Sequence, residues 1–299
     1  MAVTLRHLNI FLCVCDEGSM TGAAKKLFMA QPSVSLAIRE MEEYYGIKLF
    51  DRIAKHLYLT EQGKKMLDYA RHISELSDQM EREMHSPQDA GTLRVGTSIT
   101  IGTFLLPKYV KEMGKRYPDL RIEAVIENSE HIEQYVLENA IDLGIIEGVA
   151  HSPSIESRYF PGDELLFICP PEHPFAGRAD VSWEELAGET FLLREKGSAG
   201  REIFDGLVAA RELNVHLLWE SASNQAILGG VAAGLGLSLL PDSITRRERE
   251  SGCVAGFCVQ DTRLTRRFCV IRHKNKYLSK GAKELIAMFC QEKLSDLEV

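Results

Sequence analysis

Long apolar runs are missing from the sequence: no stretch reaches the roughly 18 residues that a membrane-spanning helix needs. The opening MAVTLRHLNIFLCVCDEGSM also lacks the basic leader and small-residue cleavage site of a secreted chain. A cytoplasmic protein with no membrane partner is therefore expected. Excess positive charge is missing too, with 35 basic against 43 acidic residues and a net charge of −8, which argues against bulk nucleic-acid binding through a basic surface. Catalytic signatures are lacking: there is no G-x-S-x-G, no G-x-x-x-x-G-K-[ST] and no H-E-x-x-H. The glycine-rich ILGGVAAGLGLSLLP fits no dinucleotide fingerprint, because its glycines fall within and after a helix rather than between strand and helix. No catalytic residue, cofactor or metal is expected. Seven cysteines (Cys13, Cys15, Cys169, Cys253, Cys258, Cys269, Cys290) in apolar contexts suit buried thiols in a reducing compartment better than a disulfide framework. Cys253, Cys258, Cys269 and His273 form C-x4-C-x10-C-x3-H, looser than the usual zinc spacing, and strand alternation around FCV turns these cysteines toward a core.

What is present is an ordinary globular composition, 45% hydrophobic and 26% charged over 299 residues, or about two domains. That excludes disordered, collagen-like and coiled-coil chains. Charge is unevenly spread. Residues 1–60 carry seven basic and six acidic side chains, a balance of +1, so the remainder holds −9. A near-neutral segment joined to an acidic body points to two jobs, with few and well-placed phosphate contacts.

The first 60 residues read as helices with short breaks. Leu5, Leu8, Phe11, Leu12 and Cys15 form one stripe that Gly18 stops. Ser19 can cap a second helix, Met20 to Phe28, that buries Ala23, Ala24 and Leu27. Pro32 then opens a third helix reaching about Tyr45 and Gly46. Two short helices around a tight turn form a helix-turn-helix pattern. On a helical wheel Val34, Ile38, Met41 and Tyr45 face the core, while Pro32, Ser33, Leu36, Arg39, Glu40 and Glu43 face out. Only the first two turns could approach DNA closely, because the carboxylates gather farther down. LFDRIAKHLYLTEQGKK reads as a β-wing around Ala54-Lys55, with Arg52, Lys55 and His56 near its tip. A three-helix protein-interaction module is the other reading of this segment.

From Thr60 to about Met84 a long helix is expected, with Met66, Ala70, Ile73, Ser77, Met80 and Met84 at the 3-4 spacing of a dimer seam. Ser-Pro-Gln-Asp-Ala-Gly at 86–91 marks a hinge and domain boundary. Beyond it, strands (LRVGTSI, RIEAVIE, IDLGIIEG, ELLFICPP, FLLRE, VHLLWE, LGLSLLPD, RRFCVIRHK) alternate with helices near 101–116, 130–140, 201–212, 224–233 and 279–295. That order predicts βαβ units, a parallel sheet and two small α/β lobes, the last strand and helix returning to the first.

Ser98, Thr100 and Thr103, then Asn128 and Ser129, Ser198, and Ser223 with Asn224 all follow strand ends. Ligand crevices lie at the carboxyl ends of strands in open α/β sheets, and helix N-termini there offer free N–H groups. Each hydroxyl or amide could also be a plain helix cap. Glu147 and Glu195 end strands and could enter the same cleft or pair with arginines.

The block GSMTGAAKKLFMAQPSVSLAIREMEEYYGIKLFDRIAKHLYLTEQG resembles the N-terminal helix-turn-helix of LysR-type transcriptional regulators. GTSITIGTFLLP, the NSE at 128–130, DLGIIEG, LLREKGSAGRE and the run from Ser223 to Asp242 resemble their effector domain, in the same order and over the whole chain. The resemblance implies an all-α winged helix-turn-helix domain over 1–60 and a linker and dimerisation helix with hinge over 61–90. It also implies an α/β effector domain of two periplasmic-binding-protein-like lobes over 91–299, lobe I from 91–161 and 267–299, lobe II from 162–266. Carried onto this chain, DNA contacts fall on Gln31, Pro32, Ser33, Ser35, Leu36, Arg39, Arg52 and Lys55. Effector contacts fall on Ser98, Thr100, Thr103, Asn128, Glu147, Glu195, Ser198 and Asn224. Leu36 departs from the polar or basic residue common at its position, and the loop 194–204 has no cysteine, against a peroxide-sensing disulfide. The partners implied are double-stranded DNA, a small-molecule effector, further copies of the chain as dimer and tetramer, and RNA polymerase. The function expected is a DNA-binding regulator controlled by a small polar, carboxylate-bearing effector. The rivals are a cytoplasmic small-molecule-binding protein and an enzyme using Glu147 with Glu195.

Overall fold

The computed structural model describes residues 3–53, 56–85 and 91–291. The chain divides into two compact units: Met1–Gly91 with Leu137–Asn139 and Asn275–Tyr277, and the remainder.

The first unit contains α1 (Leu5–Glu17), α2 (Met20–Lys26), α3 (Gln31–Tyr45), β1 (Phe50–Ile53), β2 (His56–Leu59) and α4 (Glu61–His85). Gly18 and Gly46 end α1 and α3 at φ 61° and 65°, a conformation that costs glycine least. Ser19 caps α2 by accepting from Gly22 N–H at 3.0 Å. Phe11, Val14, Ala23, Ala24, Val34, Ile38, Met41, Leu49 and Ala70 form one core, in which full burial of a side chain such as Phe11 stabilises by about 1.5–3 kcal/mol. β1 and β2 pair antiparallel, Phe50 opposite Leu59 and Ile53 opposite His56.

Several expectations are corrected here. α2 stops at Lys26, and Phe28 lies beyond it at φ 53° and 97% exposed. Leu5 and Tyr45 are exposed, whereas Ile10 and Cys13 are buried. Tyr45 sits in the last turn of its helix, where it stacks edge-on against Tyr44 with ring centroids 4.9 Å apart. On α4, Met66 and Ala70 pack into the unit's own core. The apolar line left exposed is Tyr69, Ile73, Leu76 and Met80, so Leu76 rather than Ser77 continues that line. The side chain of Met84 and the hinge at 86–90 lie outside the described residues.

The second unit holds β3 (Thr92–Thr97), α5 (Ile99–Phe104), α6 (Leu106–Arg116), β4 (Arg121–Ile126), α7 (Ser129–Leu137), β5 (Leu143–Glu147), β6 (Ile155–Cys169), β7 (Thr190–Arg194), α8 (Ala199–Ala210), β8 (His216–Ser221), α9 (Asn224–Ala232), β9 (Ser238–Pro241), α10 (Asp242–Glu250), β10 (Ala255–Phe257), β11 (Leu264–His273) and α11 (Lys280–Gln291). The main sheet runs β10-β6-β11-β5-β3-β4 with β9 also on β6, and β7 and β8 form a separate pair. It is mixed rather than parallel: β3 is parallel to β4 and β5, but β11 is antiparallel to both β5 and β6. The expected helix 101–116 is two helices that begin at Ile99 and break at Leu105. β10 and α10 were not foreseen.

Two sets of apolar side chains fill this unit. One joins Val95, Leu106, Tyr109, Leu143, Ile145, Phe160, Phe268 and Phe289. The other joins Leu165, Phe167, Leu193, Phe204, Leu239 and Phe257, continued by Ile168, Leu192, Ile227 and Leu240. β6 and β11 contribute to both, so each strand passes from one core to the next, with a register shift between Arg266 and Phe268. Cys13, Cys169 and Cys269 are buried, but Cys253 and Cys258 are exposed, which corrects the expectation of seven buried thiols. They flank β10, only three residues long and too short to carry a buried alternation to both.

Candidate DNA-binding surface and effector site

The outward face of α3 begins with Gln31, Pro32 and Ser33, all exposed, and continues through half-buried Ser35 to Leu36 and Arg39. Gln31 donates to Ser35 Oγ at 2.7 Å, which fixes both side chains at the start of the helix. Ala30, the residue before α3, has no side-chain oxygen to cap it, but Pro32 carries no N–H and Ser33 N–H donates to the Ala30 carbonyl at 2.9 Å, so this helix start offers an anion little. Leu36 is 50% exposed and Arg39 forms no ion pair among the described residues. Farther along, Glu40 is held by His7 at 3.1 Å and Glu42 by Lys48 at 2.8 Å and by Leu49 N–H, also at 2.8 Å. Glu40 and Glu42 are thereby tied back, while Glu43 stays exposed. Lys55 and the side chain of Arg52 lie outside the described residues. The fully exposed Phe28 in the turn before α3 was not anticipated; its side chain is apolar in a stretch where sequence signals mark turns by polar residues.

In the second unit, Ser98 precedes α5 and is 1% exposed, yet among the described residues its hydroxyl has no hydrogen-bond partner, and neither has that of Thr97 beside it. The other hydroxyls and amides are occupied. Asn128 caps α7 by accepting from His131 N–H at 2.9 Å, Ser198 caps α8 through Arg201 N–H, and Ser223 caps α9 through Ala226 N–H. Ser129 donates to the Glu147 carbonyl at 3.1 Å. Thr103 is exposed and turns its hydroxyl to the Ile99 carbonyl.

Both predicted carboxylates are bound to arginines that the sequence reading did not single out. Arg266 donates to Glu147 at 2.7 Å and, bidentately, to Asp163 at 2.6 and 2.7 Å, and reaches Thr100 Oγ1 at 3.2 Å. Thr100 N–H also donates to Glu147 at 3.2 Å. Burial raises the Asp163 carboxyl above its ordinary pKa, opposed by the Arg266 guanidinium. Arg194, also buried, holds Glu195 through two bonds of 2.8 and 3.0 Å and Asn224 through a third at 3.0 Å. Arg201 donates to the Arg194 carbonyl and to Glu220 and Asp205. The structure thus gathers Ser98, Thr100, Glu147 and Ser129 around the ends of β3 and β5, and Glu195 with Asn224 around Arg194. Asn128 links the two groups by reaching the Lys196 carbonyl at 3.4 Å. A buried arginine leaves no periodic trace in a sequence, which is why these three were missed.

A helix-turn-helix with an exposed α3 face, followed by a mixed α/β unit with hydroxyls at its strand ends, is matched by two family models. "Bacterial regulatory helix-turn-helix protein, lysR family" covers residues 5–64 and "LysR substrate binding domain" covers 86–293. The chain belongs to the LysR family. Among curated relatives of this LysR-type regulator, the uncharacterized HTH-type transcriptional regulator YeiE of Escherichia coli is 35% identical over 286 residues, 96% of this chain and 97% of that protein. Among solved structures, a full-length OxyR variant from Pseudomonas aeruginosa shares the fold with a TM-score of 0.68 at 21% identity, over 97% of this chain and 96% of that one. The Synechocystis CcmR regulatory domain, solved in complex with 2-PG, covers 67% of this chain and 98% of its own length at 26% identity and a TM-score of 0.61. The protein is therefore a DNA-binding transcriptional regulator with an effector-binding domain. No helix among the described residues is long and apolar enough to cross a membrane.

Proposed function

We propose that this LysR-type regulator reads an operator through α3 and is switched by a small polar, oxyanion-bearing effector seated between the two cores of its second unit. In this reading residues 1–60 bind DNA, 61–90 pair copies of the chain, and 91–161 with 267–299 face 162–266 across the effector cleft. Gln31, Pro32, Ser33, Ser35, Leu36 and Arg39 meet the duplex, with Arg52 and Lys55 from the wing. A recognition helix with one arginine binds weakly alone, so two copies joined through the exposed line of α4 provide two half-sites.

The observation that carries the effector reading is the pair of buried, unpartnered hydroxyls on Thr97 and Ser98. An unmade buried hydrogen bond costs about 1–3 kcal/mol, which a polar ligand would recover. Around them lie Thr100, Thr103, Asn128, Ser198 and Asn224, whose hydroxyls and amides are already bonded within the protein and keep only their spare donor or acceptor capacity for a ligand, and Glu147 and Glu195 serve as counter-charges to Arg266 and Arg194 rather than as free acceptors. That the CcmR domain was solved with 2-PG, a carboxylate-bearing effector, supports the class.

Thermal-shift screening of the full-length protein against small carboxylates and oxyanions, 2-PG first, tests the reading. A ligand at 100 times its dissociation constant adds about 2.7 kcal/mol, and Ser98→Ala should shrink that gain. An effector that proves uncharged and apolar, or that binds Ser98→Ala as tightly as wild type, would sink it. A gel shift on the promoter next to the protein's own gene, with and without α3 variants, tests the DNA arm separately.

A further inference from the structure

Between β5 and β6 the backbone is pinned to α7. The N–H of His151 donates to both carboxylate oxygens of Glu133 at 2.9 and 3.1 Å, and Ser152 N–H adds a third bond at 2.7 Å. Glu133 is 8% exposed. Held this way, the His151 ring bridges two helices: Nδ1 lies 3.5 Å from Glu133 of α7 and Nε2 lies 2.9 Å from Glu202 of α8. α7 packs through Ile132 over Gly96 of β3 and Gly144 of β5, strands whose other face carries Val95, Leu143 and Ile145 of the first core, whereas α8 buries Phe204 in the second. The same two regions meet at a second place, where Glu130 N–H donates to the Gly197 carbonyl at 3.1 Å. Gly197 sits at φ +85°, and a Cβ there would run into the Glu130 side chain, so only glycine permits this approach.

We infer that His151 is a charge latch between the two cores: its protonated ring ties α7 to α8, and loss of the proton loosens them. The charged groups acting on the ring are Glu202 from α8 and Glu133 from α7, both anionic. β11 contributes the Cys269 thiol, which burial and Glu133 push up to about 12, so it stays neutral. With two carboxylates and, among the described residues, no other cation at the ring, protonation is favoured, and the Glu202 bond raises the His151 pKa first and most. For a base so raised, the stabilising effect is complete below its ordinary pKa and is lost as pH rises through the higher, bridged value. The bridge is open to water, with 62% of the ring exposed. Its effect on closure is therefore small, about two- to fivefold.

The test uses the full-length protein and no ligand. Imidazole NMR titration gives the His151 pKa, and amide exchange at Glu130, corrected for intrinsic base catalysis, reports separation of the two regions. In wild type the His151 pKa should stand above its ordinary value and fall in Glu202→Gln, and Glu130 protection should drop about two- to fivefold between about pH 5.5 and 8. His151→Gln keeps the backbone bonds to Glu133 and should flatten that profile. A His151 pKa indifferent to Glu202→Gln, or the same pH profile in wild type and His151→Gln, would overturn the latch.

Discussion

Arg266 and Glu147 form an ion pair at 2.7 Å in which the side chains are only 3% and 5% exposed. Charges this deeply buried are tolerable only when matched. Arg266→Ala would strand Glu147 and Asp163 without a counter-charge, and the loss of unfolding free energy should be about 3–5 kcal/mol. Urea denaturation of the full chain measures it, and a loss under 1 kcal/mol would show that the pair contributes little.

Arg266 serves two carboxylates with one positive charge, and burial raises the Asp163 pKa. An acid raised in the folded state contributes stability that is complete below its ordinary value of 3.8 and declines as pH rises through the raised one. Asp163→Asn removes that decline. Its unfolding free energy, taken relative to wild type, should climb as pH rises from about 3.8 toward neutrality, and a difference that is flat or falling would contradict the assignment.

The Ser98 hydroxyl is buried without a partner among the described residues, so Ser98→Ala should stabilise the effector-free protein by about 1 kcal/mol while weakening its response to effector. Opposite signs on thermal stability and on effector binding distinguish a site residue from a residue of structural importance only. Joint loss of both would place Ser98 in the second class.

Along α4, Ile73 and Leu76 are 43% and 51% exposed, so charging them costs the fold of one copy little. Ile73→Asp should give a folded chain of lower oligomeric state, with operator affinity reduced on the order of 100-fold through loss of the second half-site. Sedimentation reads the assembly and circular dichroism the fold. An intact oligomer for Ile73→Asp would refute the seam.

Leu36 projects from α3 beside Ser33 and Arg39, where an apolar side chain can favour a thymine methyl but cannot hydrogen-bond a base edge. Leu36→Ala should change preference at one base pair per half-site by at most about 1–3 kcal/mol and leave folding untouched. Equal loss on operator and random DNA would count against the contact.

The sequence carried the first unit well because its signals are local. Gly18, Ser19, Pro32 and Gly46 each mark a helix end by backbone chemistry that needs no tertiary partner. It failed where neighbours decide. Whether β11 runs parallel or antiparallel to β5 depends on which sheet edge a strand 117 residues later returns to, and no local pattern encodes that. The hydroxyls at strand ends were legible as a group, but only the structure separates Ser98, left unpaired, from Asn128, Ser198 and Ser223, which cap helices. Arg194, Arg201 and Arg266 were invisible because a buried cation is defined by the carboxylates around it, and those lie up to 119 residues away.

The passage of β6 and β11 through both cores also fixes an order of assembly during synthesis. The buried side chains of the second core all come from residues 165–259, a continuous stretch to which β11 adds only the partly buried Leu264, whereas the first needs residues 93–160 together with 268–289. β5 and the first half of β6 must therefore wait for β11, their common partner, while more than 100 residues are made between. At about 5–20 residues per second that wait lasts about 5–25 seconds. During it Ile145, Ile146 and Phe160 are uncovered, and chains truncated before Leu264 should need chaperones to stay in solution.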